Sequence, residues 1–506
     1  MVVFVLIIVL VVFILVIILV VVLIVFVLLL VVSVLVLVHG FHHPSRLFFT
    51  VRHPNIQKGM IKINSLFKSK TKALLNLSDV EFDALYSQKP FRGIRINPLK
   101  SSFNKVQSGF NFKLKKTPFF KNSYYIPKEY EGIGNSPLHH AGAFYVQEPS
   151  ASSVITAINA SPGQKILDLC AAPGGKSTGI AAELCGEGLI WSNEYVRKRA
   201  SVLLSNIERM GIKNAAISSL SADYLCQSLE GFFDTVLVDA PCSGEGMWRH
   251  NEQVEKQWSE QLVTDCAALQ RQILSSAVKA VKGGGRLVYS TCTLNLEENE
   301  NNVKWFLNEF SNFTLEKIEP IFGSRGLSGD ENIDNYVRRI LPTDGGEGHF
   351  IASFKRCDDA ACNLPILSEN ISAANKKIVT DFLRDNFAEI PQGVLYEKNN
   401  LVYLVKDGTP ELKGDILRFG LLIGEMRKNR LEPAHALFAA EGITPKRSLD
   451  LDLDDKRLYA FLKGEEIEYI GDSGYTAVTV LGAPLGFGKC SGKRLTNRYP
   501  KGLRLL

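Results

Sequence analysis

A doubly wound α/β domain is predicted for the middle of this 506-residue chain, and three observations predict it. Between Gln164 and Lys355 short runs of strand-forming residues alternate with longer stretches of helical periodicity, the pattern of a parallel sheet covered on both faces. The first run passes into a glycine-rich turn, LDLCAAPGGKST. Acidic residues, Asp168, Glu194, Asp223 and Asp239, stand at or just past the ends of the first four runs.

In chain order, KILDLCA (165–171), LIWSNE (189–194), AAISSLS (215–221), DTVLVDA (234–240) and GRLVYST (285–291) read as strands, with HFIASFK (349–355) as a late one. Residues 175–185, 196–210, 258–281 and 297–310 read as the helices between them. Right-handed crossovers gather the loops that follow the strands on one edge of the sheet, where such folds bind ligands. Two thiols fall on that edge: Cys242 in VDAPCSGEG and Cys292 in VYSTCTLN. Their spacing fits neither a metal knuckle nor a disulfide framework. Nine scattered cysteines with no CxxC pair argue against a secreted disulfide scaffold and for a reducing compartment. Cys357 and Cys362 have no partners to complete a zinc site and read as free thiols of a linker.

The flanks divide the chain further. Residues 60–145 read as an N-terminal domain, 146–357 as the α/β domain, 358–374 as a linker and 375–506 as a C-terminal region in which YTAVTVLG is a strand. From Gly482 to Leu506 there are six Lys or Arg and no acidic residue, which suits a polyanionic partner as well as a solvated basic end. Residues 1–59 are anomalous, because 2–38 are apolar with only Ser33 interrupting, far beyond the ~20 residues that span a bilayer. Taken literally this is a membrane anchor, and Arg46, Arg52 and Lys58 behind it keep the remainder in the cytoplasm. The preferred reading is a mistaken start, with Met60 as the true one, because an ordinary amphipathic opening follows.

The glycine-rich turn selects among nucleotide ligands. A phosphate-binding P-loop would need glycine where Cys170 stands, and the dinucleotide fingerprint G-x-G-x-x-G is absent. Gly174 and Gly175 let the backbone approach a ligand, and the helix that follows offers unpaired N–H groups. Glu194 is placed to accept from ribose hydroxyls and Asp223 to face an adenine amino group. Four acids at successive strand ends make S-adenosyl-L-methionine the better ligand.

DLCAAPGGKST, SNE, DAPCSGEG and STCT, in this order, resemble the Sun/Nop-type (NSUN) family of RNA cytosine-5 methyltransferases over roughly residues 90–355. PLGFGKCSGKRLTNRYPKGLR (484–504) further resembles the bacterial small-subunit rRNA methyltransferase F branch, whose members carry a PUA-like RNA-binding extension. The resemblance implies a class I, Rossmann-like methyltransferase sheet between two smaller RNA-binding domains. It also implies a cytoplasmic monomeric enzyme acting on small-subunit rRNA, with tRNA or an idle ribosome-assembly role as alternatives, and membrane contact only if residues 2–38 are a real anchor.

The family chemistry explains two thiols. Carbon 5 of cytosine is a poor nucleophile until a thiolate adds to C6, and the adduct must then lose its C5 proton and release the enzyme. By the resemblance Cys292 is the nucleophile, Cys242 assists release, Asp239 bonds the cytosine N3 and amino edge, and Lys176 lies near the base and methyl donor. Cofactor contacts are expected from Cys170, Ala171, Ala172, Pro173, Gly174, Gly175, Lys176, Glu194, Asp223 and Asp239. No group that activates Cys292 is visible in the sequence. For RNA, KPFRGIRINPLK (89–100) resembles the family's RNA-facing motif and nominates Arg92, Arg95 and Asn97. The tail nominates Lys489, Lys493, Arg494, Arg498 and Tyr499 for phosphate contacts and stacking.

Overall fold

A computed structural model describes residues 63–359 and 362–505. The apolar run at 2–38 and the start at Met60 lie outside the described residues. Among those described, no helix is long and apolar enough to cross a membrane.

The predicted α/β domain forms. Its strands are β1 (Lys165–Asp168), β2 (Leu189–Asn193), β3 (Ala215–Ser218), β4 (Phe233–Asp239), β5 (Val281–Thr291), β6 (Phe313–Glu316) and β7 (His349–Arg356). The helices between them are α1 (Gly175–Glu183), α2 (Arg197–Arg209), α3 (Ala222–Ser228), α4 (Glu260–Ala280) and α5 (Glu300–Glu309). Strands β2 and β3 are buried at every position, as a sheet covered on both faces requires. The helices bury only one stripe; α2 turns Ala200, Leu203 and Ile207 inward and leaves Arg197 and Lys198 in solvent. Ser221 and Ser259 cap α3 and α4 by accepting from the backbone N–H of Tyr224 and Leu262.

The strands run in the order β6-β7-β5-β4-β1-β2-β3, with β1 to β5 parallel and β7 antiparallel to β5. Chain order reverses between β1 and β4, so a crevice opens beyond their carboxyl ends. β1 to β4 stop one to three residues before the predicted ends, because the chain turns there into the loops that carry the site.

Two departures from the expected division concern the C-terminal region. Ile416–Phe419, here β8, leaves the small sheet that Leu401–Val405 and Leu421–Arg427 share and pairs antiparallel with β3. It covers a hydrophobic edge that would otherwise present unpaired backbone groups, and buried Arg418 ties it to Glu208 of α2 at 2.5 Å. The second departure is the basic tail. Ala483–Cys490 and Arg494–Asn497 are strands of a five-stranded sheet, not a solvated end. Leu485 and Leu495 of that sheet, and Tyr499 just past it, share one core with Ile94, Val106, Leu138 and Phe144 of the N-terminal part.

Candidate active site

The turn after β1 is held from outside by α2: Arg199 donates to the Ala172 carbonyl at 3.1 Å and Asn206 to that of Pro173 at 2.8 Å. Gly174 has φ +108°, a conformation a side chain would strain, and leads directly into α1. Asp168 is buried beneath the turn. Its Oδ2 accepts from Ser177 Oγ at 2.6 Å, while Oδ1 is buried without a partner. Burial pushes its pKa up to about 7, against the Ser177 hydrogen bond. Glu194, just past β2, is also buried; it accepts from the Val196 N–H at 3.0 Å and faces Arg199 at 3.2 Å. Its pKa is raised by burial against Arg199.

This donor and acceptor set fits S-adenosylmethionine. An orphaned acidic oxygen beside a close-approach turn, and a second carboxylate at the next strand end, call for a ligand rich in donors, and the amino group and ribose hydroxyls of that cofactor are such donors. Cys170 is partly exposed at the same turn, and burial holds its thiol well above the usual range. Asp223 departs from the expectation. It lies in the first turn of α3, two-thirds exposed, with its carboxylate paired to Lys279 at the end of α4 at 2.8 Å.

At the ends of β4 and β5 the two thiols meet. Cys242 Sγ and Cys292 Sγ lie 3.2 Å apart. Beside them Lys176 Nζ donates to Asp239 Oδ2 at 2.6 Å, and Ser290 Oγ donates to Asp239 Oδ1 at 2.7 Å. Burial pulls the Lys176 ammonium down, but Asp239, with Cys292 and Asp168 adding to it, holds its pKa above the ordinary lysine value. Because Cys292 contributes to that rise, Lys176, named from the sequence for the base and methyl donor, is also the cation near Cys292, a placement no motif showed. Cys242 is driven well above the usual thiol range, first by its hydrogen bond with Cys292 and then by burial. The two sulfurs therefore differ in surroundings: Cys242 is governed by Cys292 and by burial, while Cys292 lies within the field of Lys176.

His349, which opens β7, was not singled out from the sequence. Its Nε2 is buried without a partner 3.9 Å from Asp239 Oδ1, and burial, with Lys176 adding, lowers its pKa to about 3, so the ring is neutral. An acidic or basic residue ending a strand is visible in a motif; a histidine brought in by an antiparallel strand over a hundred positions later is not.

The nominated RNA contacts divide. Arg95 is 1% exposed and serves the fold, donating to Gln147 Oε1 and Thr178 Oγ1 at 2.6 Å each and to the Gly175 carbonyl. Asn97 is equally buried and donates to the carbonyls of Gly142 and Met210. Tyr499 is 2% exposed inside the shared core. These three are corrected from RNA contacts to packing residues, because their backbone lies in or beside core strands and neighbouring elements close over them. Arg92 is half-buried and donates to the Tyr130 carbonyl. Lys489, Lys493, Arg494 and Arg498 are exposed, with Arg494 facing Glu466 at 3.2 Å and Arg498 facing Glu432 at 3.5 Å.

Strand order, glycine-rich turn and paired acids define a class I S-adenosylmethionine-dependent methyltransferase. Residues 155–355 match the family described as 16S rRNA methyltransferase RsmB/F. Residues 63–149 match the N-terminal domain of 16S rRNA methyltransferase RsmF, 381–440 its first C-terminal domain and 448–505 its PUA domain. Ribosomal RNA small subunit methyltransferase F of Vibrio vulnificus (strain YJ016) is 32% identical over 454 residues, covering 85% of this chain and 94% of the relative. The protein of that name from Aeromonas salmonicida is 30% identical over 449 residues, with the same coverage. Among solved structures, PH0851 is 26% identical with a TM-score of 0.53, covering 60% of this chain and 70% of that one. NSun6 from Pyrococcus horikoshii, solved with SFG, shares the fold at a TM-score of 0.52 and 22% identity, covering 60% of this chain and all of that one. The chain belongs to the RsmB/F family of 16S rRNA methyltransferases.

Proposed function

We propose that this protein methylates carbon 5 of a cytosine in small-subunit ribosomal RNA through a transient bond between Cys292 and C6 of the base. The observation that carries the reading is the pair of sulfurs at 3.2 Å beside the Lys176–Asp239 ion pair. The small-subunit substrate rests on the names of the relatives.

The Cys292 sulfur donates an electron pair to C6, and the C5=C6 electrons become available at C5. Lys176 stabilises the anionic sulfur before addition and again when it leaves. Asp239, oriented by Lys176 and Ser290, accepts from the N3 and amino edge, which favours a protonated ring that draws electrons from C6. Bound S-adenosylmethionine supplies the methyl group, with Glu194 accepting from its ribose and Asp168 Oδ1 from its amino group. The C5 proton then passes to a base, its electrons restore C5=C6, and the Cys292 thiolate is expelled. Cys242, whose sulfur lies 3.2 Å from that of Cys292, is the group at hand to take that proton.

The target base must be flipped or already single-stranded, at a cost of a few kcal/mol. Exposed Lys489, Lys493, Arg494 and Arg498, with Arg92 nearer the N-terminal sheet, offset that cost through phosphate contacts. The enzyme acts as a cytoplasmic monomer. RNA carrying 5-fluorocytosine, given with the methyl donor, has no C5 proton to lose and stays attached at Cys292. A protein that never becomes linked to such RNA, under conditions where it methylates ordinary RNA, refutes the covalent step.

A further inference from the structure

We infer that Glu245 and Glu298, buried carboxylates with no place in the chemistry above, form a crossed brace that sets the separation of the two thiols. Both are thereby positioning residues for release of the methylated base. The inference rests on the two-thiol reading.

Each carboxylate stands on one thiol loop and accepts from the other. Glu245, three residues past Cys242, takes Thr293 Oγ1 at 2.9 Å and the backbone N–H groups of Leu294 and Asn295 at 3.0 and 2.8 Å, all from the loop that follows Cys292. Its other oxygen accepts from Trp258 Nε1 at 2.9 Å, which fixes the rotamer. Glu298, six residues past Cys292, reaches back and accepts from the Ser243 N–H at 3.0 Å and from Ser243 Oγ. Gln270 of α4 donates at 2.8 Å both to Glu298 and, at 2.9 Å, to the Pro241 carbonyl, so the residues on either side of Cys242 are pinned. The two side chains are 5% and 0% exposed as residues.

The loops also touch through backbone. The Gly246 N–H donates to the Cys292 carbonyl at 2.9 Å, and a Cβ at Gly246 would stand 2.6 Å from the Gly348 carbonyl and 2.9 Å from that of Cys292. Neither loop has a strand partner at these positions, so without the carboxylates that backbone bond, the Ser243–Thr293 hydroxyl contact at 2.7 Å, the Asn295–Ser243 contact at 3.4 Å and side-chain packing would be left to relate Cys242 to Cys292. A buried carboxylate serving several donors is costly to replace, because the backbone N–H groups of Ser243, Leu294 and Asn295 would be left without the acceptors these two supply. That is the property needed to hold two sulfurs at 3.2 Å in loops that must admit RNA.

Glu298→Gln tests this. Glutamine offers one acceptor oxygen, so two of the donors that Glu298 serves lose theirs. In the full-length protein the variant should bind S-adenosylmethionine normally and keep its KM for RNA within about twofold, while kcat falls on the order of tenfold and protein–RNA adduct accumulates. A second measurement uses no RNA. With glutathione disulfide the two thiols become a Cys242–Cys292 disulfide and two glutathione molecules. The equilibrium constant measures how closely the fold holds the sulfurs, and it should drop on the order of tenfold in the variant. Thr293→Val, nearly isosteric, removes a hydroxyl lying between Ser243 Oγ at 2.7 Å and Glu245, and should shift both readouts the same way by about threefold. It decides the matter should Glu298→Gln fail to fold. Wild-type equilibrium constants and wild-type release in the folded variants overturn the brace. Absence of any adduct in the wild-type protein overturns instead the covalent reading, and the glutathione measurement still stands.

Discussion

Lys176 and Arg494 each face a carboxylate, at 2.6 and 3.2 Å, yet the first side chain is 13% exposed and the second 70%. The catalytic edge withdraws its charges from water, where each interaction is strong and each loss severe. The C-terminal sheet displays its charges on a buried apolar core, where single ion pairs contribute little to stability but remain available to phosphate. Two regions rich in Lys and Arg thus use them oppositely, and reading charge as function works only where burial is known.

The largest expected effects lie at the edge. Cys292→Ala should lower methyl transfer by roughly 10^5-fold or more, measured by incorporation of labelled methyl groups into RNA. Near-normal turnover would dissolve the distinction between the thiols. Asp239→Asn should lower kcat by roughly 10^2- to 10^3-fold with cofactor affinity little changed, because the asparagine presents an N–H where the base edge needs an acceptor. Cys242→Ala should convert turnover into accumulation of a covalent RNA complex visible on a denaturing gel.

Asp168 sharpens the comparison through pH. Its folded pKa of about 7 lies above the ordinary aspartate value, so the folded protein binds the extra proton. The stability this group contributes is complete below about pH 4 and is lost as pH rises through about 7. Binding of a cofactor ammonium favours the ionised form, so affinity should fall about tenfold between pH 8 and pH 6 and flatten in Asp168→Asn, as titration calorimetry would record.

The smallest effects belong to the displayed charges. Lys489→Glu with Lys493→Glu should weaken RNA binding by several-fold, reduce its salt dependence and leave the melting temperature alone. Arg95→Ala, from the same list of basic candidates, should do the reverse. It removes a buried guanidinium with three acceptors, costing about 3 kcal/mol of stability. Equal effects of the two changes on RNA affinity would erase the distinction drawn here between displayed and packed cations. Deletion of 484–506 does not test RNA binding, since it removes two strands and part of a shared core.

The placement of Cys242, Cys292, Lys176, Asp239, Asp168 and Glu194 was legible because each ends a strand or follows one within a few residues, and strand ends on one edge must converge. Arg95, Asn97 and Tyr499 were misplaced for want of knowing which neighbour closes over them. β8 was assigned to its own region for the same reason: an edge strand chooses its partner by exposed hydrogen bonds, which composition does not reveal. His349, Glu245 and Glu298 were invisible as site groups because their partners lie about 50 or more positions away.

Periodicity and loop chemistry, local properties written within a dozen residues, determined by themselves the alternating α/β core, the cofactor turn and the two thiol-bearing loops. Only tertiary structure decided which cation faces which sulfur, which carboxylates tie the loops together and which basic residues reach solvent. Those outcomes depend on burial and on contacts between distant segments, and both exist only once the chain has closed on itself.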